Sequence, residues 1–361
     1  MTPPRLSVLP PLPLGVYARR PSAALPFPLG DANCRLFTRA RHGLWHALGP
    51  LGLAEGDEVL VPAYHHGSEV EALVRTGLRC AFYDVGEGLA PSESELENLI
   101  GSRTRALYLI HYLGFPQDVS RWRAWCDARD LLLLEDAAQA WLASDGGRPL
   151  GSFGDLALFC LYKTFGLPDG AALLSSVPPD APRSRRRLGL QATARRHARW
   201  VVARSGRATR LAAAVPDRRR YVPEDDFALG DPSSRPSAAT HFLLARLVGE
   251  DAAARRRSNY RVLLEALSEF VAPALARVPD GASPHAFLVE TERRDEVLAE
   301  LRRNGIRAFA FWSYHHPALP SSGFSHAARW RAKAVVLPVH QELRPEDVER
   351  IAASARAALA R

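Results

Sequence analysis

Lysine is nearly absent from this chain of 361 residues: of its 47 basic side chains only Lys163 and Lys333 are lysines, and the rest are arginines. A coding bias toward arginine explains the pattern, and chance retention explains either lysine taken alone. A lysine that survives such a bias is also where a chain keeps chemistry that arginine cannot perform. The guanidinium stays protonated, whereas a lysine amine shifted down from its usual pKa of about 10.4 can attack an aldehyde and form a Schiff base. Lys163 follows the apolar run Leu156 to Tyr162, which places it directly after a buried strand. Asp136 stands in a similar position, just beyond Leu131 to Leu134. A carboxylate there can pair with the protonated nitrogen of a pyridine ring, or it can cap the helix that follows. Gln139, three residues on, is within reach of a phenolic oxygen on the same ring.

Both residues depend on elements that would carry them to one edge of a sheet. Strands are predicted over Asp57–Pro62, Cys80–Val85, Ala106–Ile110, Leu131–Leu134 and Leu156–Tyr162, with helices over Glu69–Thr76 and Val119–Arg129 between them. Such alternation implies parallel pairing with right-handed crossovers, and in parallel sheets ligands sit beyond the carboxyl ends of the strands. His65, His66, His111, Asp136 and Lys163 all fall at those ends. The chain divides into a proline-rich arm lying on the domain surface (1–30), a large domain (31–235) and a smaller C-terminal domain (236–361). The last opens on a long helical pattern from Pro236 to Leu267 and closes on a helix from Pro345 to Leu359.

Composition narrows the class. Hydrophobic residues make up 47% and charged residues 24%, ordinary for a globular chain, and no apolar run approaches a membrane span. The four cysteines are widely spaced with no CxxC pair, which suggests neither a disulfide framework nor a zinc site and fits a reducing cytoplasm. Residues 183–220 hold 13 arginines against one acid, Asp217. With Leu188, Leu190, Trp200, Val201 and Val202 interleaved, this segment reads as a solvated helical face. It also suits a helix on the inner membrane surface or a contact to an anionic polymer. No nucleic-acid recognition motif accompanies it.

Five stretches in order resemble the DegT/DnrJ/EryC1/StrS aminotransferases, enzymes that use pyridoxal 5′-phosphate (PLP). They are Glu55–Pro62, His111–Asp118, Glu135–Ala140, Gly151–Asp155 and the closing Leu337–His340 with Leu343 and Glu346–Arg350. The resemblance implies an α/β large domain of PLP fold type I with a mainly parallel sheet, plus a smaller α+β C-terminal domain. It implies Lys163 as the lysine bound to PLP, Asp136 as partner of the pyridine nitrogen and Gln139 as contact to the ring oxygen. It puts the residue stacked on the ring at His66, with His65 next. The phosphate falls to the helix N-terminus around Thr38-Arg39-Ala40-Arg41, with Cys160 near a common phosphate serine. The implied reaction moves an amino group from glutamate or glutamine to a keto-sugar or similar polyol, in a homodimer with shared active sites. The sequence departs from the family at Arg39-Ala40-Arg41, where Ser-Gly-Thr is usual, and at Ser233-Ser234-Arg235, where the partner-subunit signature is Asn-Tyr-Arg. These departures leave room for a PLP-binding homologue with a regulatory or partner-binding role. His111 and His340 read as structural histidines, His315 and His316 as a substrate mouth or a turn, and Lys333 as a surface or rim charge.

Overall fold

The computed structural model of the chain describes residues 3–184, 186–213, 227–249 and 251–361. The N-terminal arm is not superficial. Its strand β1 (Leu6–Ser7) pairs in parallel with β12 (Ile306–Arg307) of the C-terminal region, and Leu6, Val8, Leu12 and Val16 are all buried. Apolar residues scattered among the arm's prolines supply the area that holds it down, a contribution of about 1.5–3 kcal/mol for each fully buried side chain.

The central sheet has seven strands: β2 (Cys34–Phe37), β3 (Glu58–Pro62), β4 (Arg79–Tyr83), β5 (Thr104–Ile110), β6 (Leu132–Asp136), β9 (Leu156–Cys160) and β10 (Ala171–Ser175). A small hairpin of β7 (Ser144–Asp145) and β8 (Arg148–Pro149) intervenes between β6 and β9. The strand order is β2-β10-β9-β6-β5-β3-β4; the pairings from β4 to β9 are parallel, and β10 runs antiparallel to both its neighbours. The parallel strands are linked by α2 (Ser68–Arg75), α3 (Glu93–Leu99) and α4 (Val119–Asp127), while α1 (Ala40–Ala47) follows β2. Strands this apolar on both faces need cover on both, and two buried clusters supply it.

Two expected elements are interrupted. The strand that begins at Leu156 stops at Cys160, because the chain turns there into one helical turn, α5 (Leu161–Thr164), which carries Lys163. Helices α6 (Leu190–Arg204) and α7 (Gly206–Ala213) occupy the basic segment. The pattern from Pro236 to Leu267 resolves into two helices, α8 (Ala238–Leu247) and α9 (Ala252–Leu267), because Val248 turns to an extended conformation before Gly249. Beyond them lie a three-stranded antiparallel sheet, β11 (Phe287–Glu290), β14 (Ala334–Leu337) and β13 (Phe309–Ala310), and the helices α10 (Arg294–Arg303), α11 (Ser325–Lys333) and α12 (Pro345–Leu359). Among the described residues, no helix is long and apolar enough to cross a membrane.

Candidate active site

The carboxyl ends of β5, β6 and β9 open onto a cavity of about 90 Å³. Arg39, Ala40, Arg41, His66, Asp136, Gln139, Cys160 and Lys163 all line it, joined by Glu69, Tyr108 and Trp312. Residues more than 120 positions apart in sequence meet there because parallel strands deliver their ends to one edge.

Glu135 and Asp136, adjacent at the end of β6, do different work. Glu135 is fully buried; its carboxylate accepts N–H bonds from Gly151 (2.8 Å), Phe153 (2.8 Å) and Gly154, and pairs with His111 Nε2 at 3.2 Å. Burial works against its charged form, but His111 and the Gly151 and Gly154 N–H groups outweigh it, and its pKa falls. The Gly151–Asp155 stretch is thus folded around Glu135, which locks the strand end that presents Asp136. Asp136 accepts the Tyr108 hydroxyl at 2.8 Å and the Ala138 N–H at 2.8 Å. A carboxylate has about four acceptor sites, so Asp136 shapes its own turn and still has capacity facing the cavity.

Lys163 sits beside this carboxylate. Burial pulls its pKa down, while Cys160, Tyr162, Asp136 and Glu69 pull it up, and the upward pull prevails. Burial raises the Cys160 thiol, with Lys163 opposing. On the far side, α1 starts at Arg39 with an extended N-cap residue and no side-chain cap. The first N–H groups of such a helix have no intrahelical partner and favour an anion. The Arg39 guanidinium lies 5.0 Å from the Tyr162 ring centroid, next to Lys163.

The paired histidines part company. His66 lines the cavity with its Nδ1 buried and without a hydrogen-bond partner, and burial, then Lys163 and Arg41, push its pKa down to about 3. His65, the second expectation for a ring-stacking residue, does not line the cavity. Its Nδ1 bonds the Pro62 carbonyl at 2.9 Å and its Nε2 accepts the His316 N–H at 3.4 Å, because successive side chains leaving a strand point to opposite sides. Gln139 lines the cavity; its Oε1 accepts the Leu113 N–H at 2.8 Å, which anchors the side chain and leaves its amide nitrogen to donate to a ligand. Ser233–Arg235 folds back beside α1 of its own chain, with Thr38 Oγ1 donating to the Ser234 carbonyl at 2.9 Å.

Glu69, Tyr108 and Trp312 carry no sequence signal of function. Glu69 looks like any acid in a first helical turn, and Tyr108 like a core position of β5. Trp312 adopts a left-handed backbone (φ 47°), a strained state for a bulky residue, and turns its ring toward His66 (6.3 Å between centroids) and Tyr112 (5.6 Å). His316 pairs with Glu71 at 2.9 Å, Lys333 with Glu292 at 2.5 Å, and His340 bonds the Ser7 carbonyl at 3.0 Å, all outside the cavity.

The basic segment turns partly inward. Arg196 is buried, donating to the carbonyls of Pro10 (3.4 Å) and Tyr162 (3.4 Å). His197 contacts the Leu12 carbonyl, and Arg204 donates to the Glu342 carbonyl and lies 3.5 Å from Asp347. This helix therefore clamps the arm to the lysine turn and to α12. Arg218, Arg219 and Arg220 lie outside the described residues.

Comparison with known proteins agrees with this geometry. The UDP-N-acetyl-3-dehydro-alpha-D-glucosamine 3-aminotransferase of Acidithiobacillus ferrooxidans is 27% identical over 332 residues, 87% of this chain and 80% of that protein. The GDP-perosamine synthase of Vibrio cholerae is 32% identical over 133 residues, a match spanning only 36% of either protein. Helicobacter pylori PseC, an aminotransferase involved in the biosynthesis of pseudoaminic acid, shares the fold with a TM-score of 0.70 at 15% identity, over 99% of each chain. The architecture is that of the PLP fold type I aminotransferases. Residues 24–216 and 240–356 match the profile that defines one such group, and the chain belongs to the DegT/DnrJ/EryC1/StrS aminotransferase family.

Proposed function

We propose that this chain is a PLP-dependent aminotransferase that moves nitrogen from glutamate or glutamine to the keto group of a sugar or related polyol, in amino-sugar, polysaccharide or secondary-metabolite synthesis. One observation carries the reading: Lys163, Asp136 and the open N-terminus of α1 line a single cavity at the carboxyl edge of a parallel sheet. The same residues fit PLP group by group. Asp136 has acceptor capacity for a pyridinium N–H, α1 with Arg39 and Arg41 suits a phosphate, and the neutral His66 ring has a buried Nδ1 without a partner. When bound, PLP supplies an aldehyde that takes up amines and a ring that accepts charge from a deprotonated carbon.

The chain's own part is to position groups and move protons. Asp136 holds a proton at the ring nitrogen. Lys163 Nζ, once neutral, takes a proton from the donor's α-carbon and returns it on the far side of the exchange. Leu44, Ile110, Leu158 and Trp312 line the same cavity and limit water there. Assembly as a homodimer with shared sites, and a cytoplasmic location, belong to the same proposal and rest on the family.

The test is the visible spectrum of the purified chain with PLP. A band that borohydride abolishes is expected for the wild type and absent from Lys163→Ala, together with loss of amino transfer by at least about 10³-fold. A wild type that binds no PLP, or a variant that keeps the same protein-linked band, would overturn the reading.

A further inference from the structure

Glu69 is the one charged residue of the cavity that neither the sequence motifs nor the proposed reaction uses. It stands in the first turn of α2, where an acid ordinarily faces water and gains about 0.3–1 kcal/mol from the helix dipole. Here it is only 6% exposed and lines the cavity beside Lys163 and Asp136. Its Oε1 accepts the His66 N–H at 2.9 Å and its Oε2 accepts the Ser68 hydroxyl at 3.3 Å. A serine or asparagine could satisfy the same N–H without burying a carboxyl. A carboxyl kept in this place calls for a cation.

The groups facing Glu69 narrow the choice. Cys80 on β4, Tyr108 on β5, Tyr112 and Asp136 are neutral or acidic. Arg331 on α11 donates to the Ala63 carbonyl at 2.6 Å and lies 5.4 Å from the Tyr64 ring. Among the described residues, no cation lies within ion-pair distance of Glu69. Three cations line the same cavity, Arg39, Arg41 and Lys163; Arg39 lies over the Tyr162 ring, and Lys163 is the one that opposes burial at Glu69.

We propose that Glu69 is a positioning residue for Lys163: a second buried carboxyl that works with Asp136 to keep the lysine side chain in the cavity as an ammonium until a carbonyl ligand arrives. Its meaning rests on the reading of Lys163 given above, but its test does not. The electrostatics agree in direction. Burial pulls Lys163 down, and of the groups that pull it up, Cys160 and Tyr162 act only once ionised, which for a thiol and a phenol means alkali. Asp136 and Glu69 are the two carboxyl groups among them. Burial, and then Asp136, raise Glu69 itself, with Lys163 opposing.

The near absence of lysine supplies the experiment. The full chain, without cofactor, is trace-labelled with acetic anhydride. The ratio of labelling at Lys163 to that at Lys333 is then read at pH 8 and at pH 10.5 for wild type, Glu69→Gln and Glu69→Asp. Glutamine keeps the acceptor for the His66 N–H and removes the charge. Glu69→Gln is expected to raise the ratio about tenfold at pH 8, as for a shift of one pKa unit, and by much less at pH 10.5. Glu69→Asp, which keeps the charge and guards against a misfolded glutamine variant, is expected to stay within about twofold of wild type. An unchanged ratio in Glu69→Gln would overturn the proposal. So would a rise of equal size at both pH values, which reports only a looser cavity. Neither outcome touches PLP binding, which the borohydride experiment tests separately.

Discussion

Around the cavity, histidines are buried in their neutral form; along α6, arginines are buried or half-buried in their charged form. His42 is held down to about 4 and His65 and His66 to about 3, in each case chiefly because burial strips the imidazolium of water. Arg196 is lowered by burial to about 10 and so remains a cation at any ordinary pH, with backbone carbonyls to receive its protons. The contrast teaches that the density of charge along a sequence does not locate its chemistry. The 13 arginines of residues 183–220 are its most conspicuous feature, yet the described members that turn inward hold segments together. The residues proposed to react line a cavity with far fewer charges.

Acid should break the first region and spare the second. A histidine whose folded pKa lies below its unfolded value of about 6.5 contributes stability that is complete above pH 6.5 and is lost as pH falls toward the folded pKa. At pH 5 each of the three histidines should cost about 2 kcal/mol relative to pH 7.5. Urea midpoints at the two pH values should therefore differ by several kcal/mol in stability, and equal midpoints would show that the rings are not buried as neutral groups. A smaller effect tests the clamp. Arg196→Ala leaves the Pro10 and Tyr162 carbonyls without their donor and should destabilise the chain by about 2 kcal/mol, independently of pH between 5 and 8. Thermal melts read this directly, and an unchanged melting temperature would return α6 to the status of a solvated helix. The smallest effect is expected from reversing exposed charges of the same segment. Arg195→Glu with Arg210→Glu should change stability by less than about 0.5 kcal/mol and leave amino transfer unchanged. A marked loss of transfer would mean that the outer face of these helices does more than solvate.

Much of this was legible in the sequence because it rests on local patterns. Strand and helix alternation follows from apolar period and length, so the sheet and its ligand-bearing edge were predictable, and α12 starts and ends at Pro345 and Leu359 as read. Lys163 stood out through scarcity, a signal that needs no structure. What stayed hidden depends on tertiary packing. Glu69 is indistinguishable in sequence from a half-buried acid outside the cavity such as Glu71, two residues on. His65 and His66 differ only in which side of the chain each faces after β3. The break between α8 and α9 interrupts an apolar pattern that continues on both sides of it. The burial of the arm follows from partners 300 residues away, at Ile306 and Arg307.

That burial has a practical side. A Cβ placed on Gly166, three residues past Lys163, would sit 2.4 Å from the Pro11 carbonyl oxygen, so the arm's backbone lies directly against the turn that carries the lysine. Fusions, linkers or deletions that disturb residues upstream of Leu12 would press on or release the turn that carries Lys163.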